Sequence, residues 1–185
     1  VQGVLDRFAQ IEPKLLFAVN GYFYNGKFID TRDKVREIAA RLPSVQRVVW
    51  VEYIGEHPTA VGAACRDHEA MAGSRQAAPT VAEQTWPALL ANDAVEPSFE
   101  RFPFDHPLVI VYSSGTTGLP KCMVHGVGGT LLQHVKEHVL HSDVHDGDRV
   151  FYFSTTGWVM WNWLISGLAT GAACMLYDGS PFAHG

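Results

Sequence analysis

Ser113, Ser114, Thr116 and Thr117 place four hydroxyl side chains within the ten residues Tyr112 to Lys121, together with Gly115, Gly118 and the ammonium of Lys121. Such a set binds phosphate. Glycines let backbone N–H groups turn toward one anion, hydroxyls add donors, and a lysine offsets the charge of a polyanion that otherwise repels itself. Spacing excludes a Walker A loop, in which lysine directly follows the second glycine. Here Leu119-Pro120 intervene between Gly118 and Lys121, and Cys122 follows the lysine.

Other reactive residues form weaker patterns. His134-Val135-Lys136-Glu137-His138 matches H-x-x-E-H, in which two histidines one helical turn apart ligate zinc. That chemistry needs a further acidic ligand downstream, normally glutamate, and no glutamate follows Glu137. A solvated polar face, extended by His141, is the simpler reading, so no metal site is expected. His125 lies just past the loop, placed either to steer an anion or to pack in a hydrogen-bonded core. Asp146 and Asp148 flank Gly147 and read as turn residues.

Composition bounds the rest. The 185 residues are 47% hydrophobic and 18% charged, which is globular material with enough chain for one sizeable domain. A formal net charge of −5 without a basic run speaks against nucleic acid or an acidic membrane surface as partner. Cys65, Cys122 and Cys174 are odd in number and form no C-x-x-C pair, which predicts neither a disulfide framework nor a zinc cluster and fits a reducing, cytoplasmic setting. The most apolar stretch, Trp158 to Ala169, is about a dozen residues where a membrane span needs about twenty, so no membrane insertion is expected. The chain starts at Val1 already in helical periodicity and stops after a loop-like Asp178 to Phe182, and it reads as an excerpt of a longer chain.

Helical and strand patterns alternate along it. Val4, Leu5, Phe8 and Ile11 share a helix face; Lys14 to Val19 reads as a buried strand; Asn20-Gly21 and Asn25-Gly26 mark turns about Tyr22-Phe23-Tyr24. A helix capped by Asp30 or Thr31 runs to about Leu42 before Pro43, and Arg47 to Tyr53 is a strand. Residues 55–107 read as a loop-rich connection, interrupted by a helix from Thr80 through Trp86 to about Ala91, and lead to the strand Leu108 to Val111. Beyond the phosphate loop come a helix from Gly128 to His141, a strand Arg149 to Phe153, a helix through Leu168 and a strand Ala172 to Tyr177. The alternation predicts an α/β fold, a mainly parallel sheet with helical crossovers.

The ten-residue loop resembles the signature of the adenylate-forming (AMP-binding) superfamily of acyl-CoA synthetases, peptide-synthetase adenylation domains and luciferases. Its flanks resemble the acetoacetate–CoA ligase branch: Phe104-Asp105-His106-Pro107, Cys122 to Gly126, Gly128 to His134, Lys136-Glu137-His138, Gly157-Trp158, Met160 to Trp163 and Tyr177 to Pro181. The resemblance implies that residues 1–185 are one partial adenylation domain from the large N-terminal domain of such an enzyme. It implies acetoacetate, ATP and CoA as small-molecule substrates, with Mg²⁺ held mainly by residues outside this chain. Ser113, Ser114, Gly115, Thr116, Thr117, Gly118 and Lys121 would line the β/γ-phosphate site, with Thr116 and Lys121 taking part in adenylation.

Trp158, Val159, Met160 and Trp161 correspond to the wall of the acyl pocket, or else are core packing, and Asn162 is placed to donate to a keto oxygen. The resemblance also implies that adenine and ribose contacts, a hinge and the lysine of adenylate formation lie elsewhere, so that the excerpt is expected to be inactive alone. Two alternatives stay open: a ligase for another short acid such as acetate or propionate, and a non-catalytic module that binds nucleotide or a partner.

Overall fold

The computed structural model describes residues 1–55, 81–91, 96–113 and 118–182. Contacts divide the chain into two compact units, Val1–Ala94 with Ser180–Gly185, and Val95–Gly179.

In the first unit, helix α1 (Gln2–Phe8) precedes strand β1 (Leu15–Val19), a hairpin of β2 (Gly21–Tyr24) and β3 (Lys27–Asp30), helix α2 (Arg32–Ala40), and strands β4 (Arg47–Val51) and β5 (Ala82–Thr85). The sheet runs β1-β4-β5 with all pairs parallel, Phe17 beside Val49 and Trp50 beside Thr85. The hairpin forms where Asn25-Gly26 predicts it, because Asn25 (φ 50°) and Gly26 (φ 71°) both take the left-handed conformation that a tight two-residue connection demands. Of the two expected caps, Asp30 serves α2 by accepting the Arg32 N–H at 2.9 Å. The Thr31 hydroxyl instead donates to the Val19 carbonyl and ties the helix start to β1.

One apolar face of α2 and one of the sheet then close over Leu5, Ile38, Ala39, Leu42, Val45, Val48 and Trp50. Asn20 pins the end of β1, its amide bonding the Ile54 carbonyl at 2.7 Å and accepting from the N–H groups of Tyr53 and Ile54 at 3.1 Å each.

The expected helix from Thr80 gives way to β5 over Ala82–Thr85, and only Trp86–Leu90 (α3) is helical. Thr80 itself lies outside the described residues. The cap is Thr85, whose hydroxyl accepts the Ala88 N–H at 3.3 Å, and Pro87 sits in the first turn where its missing N–H costs nothing. Glu83 explains why so polar a segment joins the sheet: Arg36 donates to its carboxylate from Nε at 2.8 Å and Nη2 at 3.2 Å, and the Trp50 indole from 3.0 Å.

In the second unit, β6 (Pro107–Tyr112) and β7 (Cys122–Gly126) form an antiparallel pair, followed by helix α4 (Val127–Lys136). The helix ends in a π-helical turn, Glu137–His141, rather than continuing as α-helix. Strands β8 (Arg149–Val150) and β9 (Ala173–Cys174) pair in parallel, with helix α5 (Val159–Ser166) and a 3₁₀ turn (Gly167–Thr170) between them. Gly147 (φ 83°) makes the turn before β8, and Asp148 closes it by accepting the His145 N–H at 2.7 Å. Val150, Leu164 and Ala172 form the buried centre, with Val144, Trp161, Trp163 and Cys174 around it.

Two strands are shorter than expected. Beyond the Met175 N–H bond to the Val150 carbonyl at 2.9 Å, the segments after β8 and β9 separate. Between them Tyr177 makes edge contacts with both Phe151 and Phe153, at 6.4 and 6.1 Å between ring centroids. The fold is α/β, with parallel pairs in both units and two antiparallel hairpins. Among the described residues no helix is long and apolar enough to cross a membrane.

The Glu83 contacts set a pH dependence. The Arg36 hydrogen bond, opposed by partial burial and aided by the Trp50 indole, holds the Glu83 carboxyl below its ordinary value. A folded-state pKa below the unfolded one gives stability that is complete above the ordinary glutamate range and is lost as pH falls through the folded value. Because both partners are substantially exposed, Glu83→Gln is expected to cost about 1 kcal/mol or less near pH 7, and to make the loss of stability between about pH 5 and 3 shallower. Urea unfolding of both forms across that range checks it, and parallel pH curves would refute the assignment.

Candidate functional site

The phosphate loop is the connection of a β-hairpin. Tyr112 and Cys122 are the last paired residues of β6 and β7, and beyond them the Ser113 N–H donates to the Lys121 carbonyl at 3.0 Å. Ser113 and Lys121 are therefore neighbours across the loop mouth. Lys121 is exposed at the start of β7, and Ser113 is half-buried. Gly118 holds φ at +144°, a region closed to residues with a Cβ, and the space around it is open. Ser114, Gly115, Thr116 and Thr117 lie outside the described residues.

Strand β7 is the element that sequence reasoning missed, since Cys122 to Gly126 entered it only as a family likeness. Its signal was the apolar pair Met123-Val124 ahead of Gly126, too short to separate strand from loop. The hairpin's far end is fixed by close backbone approach: the Val127 N–H reaches the His106 carbonyl at 2.8 Å and the Gly128 N–H the Phe104 carbonyl at 2.9 Å. A Cβ on Gly126 would meet the Asp105 backbone at 3.2 Å, and one on Gly128 the Phe104 ring at 2.1 Å. The two glycines admit the Phe104-Asp105-His106-Pro107 segment, which His106 further steadies by stacking on Phe102 at 4.2 Å.

A second feature is an aromatic cleft of about 200 Å³ between the extended segments that follow β8 and β9. Phe151 to Ser154 form one side and Met175 to Asp178 another, while Trp161 and Leu164 of α5 form a third. Of the four residues expected in an acyl wall, Trp161 lines this cleft. Trp158 precedes α5 and is 70% exposed, Val159 is also exposed, and Met160 is half-buried, as is Asn162. The cleft residues Phe151, Tyr152, Phe153 and Tyr177 read from sequence as strand. Their alternation gave no sign that the two strands part.

The histidine-rich face of α4 departs from expectation. His138 is fully buried, its Nε2 at 2.9 Å from the Trp163 carbonyl and 3.1 Å from the Ser166 hydroxyl, its ring against the Trp163 indole at 4.3 Å. It belongs to the core, packed against α5, and not to a solvated face. His134 is half-buried with Nδ1 unpartnered. Burial, reinforced by His138 and His125 and opposed by Glu137, lowers its pKa and favours the neutral ring. Among the described residues no group of three or more His, Cys, Asp or Glu side chains converges to hold a metal ion.

Comparison with known proteins fits this hairpin and cleft. The chain is 51% identical over 182 residues to an acetoacetyl-coenzyme A synthetase of Rhizobium meliloti (strain 1021), covering 98% of this chain and 25% of that one. It is 45% identical over 181 residues to the acetoacetyl-CoA synthetase of Gallus gallus, covering 98% and 26%. The solved structure of acetoacetyl-CoA synthetase from Streptomyces lividans superposes with a TM-score of 0.79 at 45% identity, over 97% of this chain and 24% of that one. The chain thus spans about a quarter of the length of these relatives. The AMP-binding enzyme family matches residues 3–184, and with a glycine-hinged Ser/Thr/Lys loop presented by a hairpin, this chain belongs to that family.

Proposed function

We propose that the chain is part of an ATP-dependent acid–thiol ligase that activates acetoacetate as an acyl-adenylate and transfers it to CoA. The observation that carries the reading is the pairing of Ser113 with Lys121 at the mouth of the loop, in a chain 51% identical over 182 residues to an acetoacetyl-coenzyme A synthetase. A carboxylate is a poor acyl donor because resonance stabilises it and it has no leaving group. Attack of its oxygen on the α-phosphorus of ATP expels pyrophosphate, and the CoA thiol then displaces AMP from the mixed anhydride.

The protein's task in the first step is to hold a triphosphate against a second anion, which is positioning plus electrostatic stabilisation. Magnesium enters chelated by the ATP phosphates, as substrate. In this reading the N–H and hydroxyl donors of Ser113 to Gly118 take the β- and γ-phosphates. Thr116 takes part as a hydroxyl donor, and the exposed ammonium of Lys121 follows the charge that accumulates on pyrophosphate. Residues 1–185 then form one partial adenylation domain, and Trp158, Val159, Met160 and Trp161 belong to the acyl-binding side.

A second reading changes the acid. A malonamoyl-CoA synthetase of Penicillium aethiopicum is 44% identical over 186 residues, close to the value for several acetoacetyl-CoA synthetases. Pyrophosphate release by the full-length protein with acetoacetate, malonamate, acetate and propionate decides: acetoacetate is expected to give the highest kcat/KM, and a higher value for another acid would replace it.

Lys121→Ala in the full-length protein is expected to slow adenylate formation by about a hundredfold or more and to spare thioester formation from supplied acetoacetyl-adenylate. Equal loss in both steps would refute its role. Gly118→Ala forces a Cβ into the +144° conformation and is expected to cost about 1–3 kcal/mol, by loss of stability or by a raised KM for ATP. Leu119→Ala, at a neighbouring exposed residue, is expected to stay within about 0.5 kcal/mol. Equal effects of the two would show that the backbone at Gly118 carries no constraint.

A further inference from the structure

We infer that His138 is a positioning residue for the acyl-binding wall, acting by fixing helix α5 through the main-chain carbonyl of Trp163. The inference rests on the proposed reaction for its readout and on the geometry of α4 and α5 for its substance. At the end of α5 the helix tightens into a 3₁₀ turn, and the capping amides at Gly167 bond the Leu164 and Ile165 carbonyls. The Trp163 carbonyl, which an unbroken α-helix would satisfy with the Gly167 amide, is left to side-chain donors. Two reach it: the Ser166 hydroxyl at 2.6 Å and His138 Nε2 at 2.9 Å.

A carbonyl only accepts, so Nε2 carries a hydrogen and donates it, and Nδ1 is the atom left without a partner. His138 lies in the π turn that ends α4, closed by the Ser142 N–H to the Glu137 carbonyl at 2.9 Å, and the following chain is tied back by the Val144 N–H to the His138 carbonyl, also at 2.9 Å. Gly167, also buried, lies beside the ring, which stands 3.7 Å from where its Cβ would be, an ordinary van der Waals contact.

The hydrogen bond therefore joins the helix after the phosphate loop to the helix that walls the aromatic cleft. Trp163 faces His138, while Trp161 and Leu164 of the same helix face the cleft. Losing the bond leaves a buried carbonyl with Ser166 alone and removes the register between α4 and α5. A hydrogen bond from a polar group of the cleft, Tyr152 or Ser154, to the keto oxygen of acetoacetate depends on orientation, so it fails before an apolar contact does when α5 shifts.

The test compares His138→Gln, whose amide nitrogen reaches the Nε2 position, with His138→Leu, which fills the space without a donor, both in the full-length protein. Pyrophosphate release is measured with acetoacetate and with butyrate, which lacks the keto oxygen. His138→Gln is expected to stay within about twofold of the unmodified protein on both acids, and His138→Leu to lose about tenfold in kcat/KM for acetoacetate, through KM, with butyrate nearly unchanged. His138→Asn, too short to reach the carbonyl, is expected to match His138→Leu and replaces it should that variant fail to fold. Equal losses for Gln and Leu, or unchanged acid preference in Leu and Asn, would overturn the inference while leaving the ligase reading intact. No pyrophosphate release by the unmodified protein with either acid would overturn the ligase reading, and the inference with it.

Discussion

The hydrogen bond between Ser113 and Lys121 is the constraint on which the second unit is built. A loop rich in glycine and hydroxyls gains an anion-binding shape only if its two ends are held together, since otherwise each donor must be ordered anew when the ligand arrives. An antiparallel hairpin solves this locally. Strands β6 and β7 pair from Tyr112 with Cys122 back to Pro107 with Gly126, so the loop closes over a short ladder rather than over a helical crossover. The ladder is anchored in turn at its other end, where Gly126 and Gly128 let the Phe104–Pro107 backbone come within hydrogen-bonding distance.

The hairpin in turn places α4 and, through it, α5. Helix α4 begins at Val127, directly after β7, and its final π turn delivers His138 to α5. Polar atoms in the interior are used sparingly here: one imidazole and one hydroxyl converge on a single carbonyl that the α-to-3₁₀ change would otherwise strand. The cost of burying a histidine is offset because its donor meets an acceptor that also needs a partner. The same logic holds in the first unit, where Glu83 is accommodated at the sheet by Arg36 and the Trp50 indole, and where Asn20 serves three main-chain groups at once.

The parts of this arrangement that are legible in the sequence are those fixed by covalent spacing. Asn25-Gly26 predicts its hairpin because few residue pairs tolerate two left-handed conformations in succession, and the loop from Tyr112 to Lys121 is recognisable because glycine, hydroxyl and lysine must fall in register. The parts that are not legible depend on tertiary pairing. Ala82–Thr85 has no apolar alternation to mark a strand, and its place in the sheet comes from a residue distant in sequence, Arg36. His138 lies inward because α5 packs against it through Trp163 and Ser166, a tertiary contact that no periodicity reports. Phe151 to Phe153 and Met175 to Tyr177 have strand composition, yet their bulky rings stand between the two segments and end the pairing.

Electrostatics argues for how the loop divides its work. A chain with a net charge of −5 attracts no polyanion by its overall field, so in the proposed reading ATP is held by groups within a few ångströms of its phosphates. Neutral N–H and hydroxyl donors do this without a fixed charge that would bind pyrophosphate, the product, as tightly as the triphosphate itself. Lys121, exposed at the end of the loop, carries its charge on a long flexible stem, and its proposed role is to move with the leaving group as negative charge shifts onto it. An arginine there would grip one phosphate through a rigid fork in ground state and product alike, which strengthens binding without lowering the barrier. In the proposed reading, neutral donors combined with one mobile cation favour the transition state of a step in which charge leaves one end of the substrate.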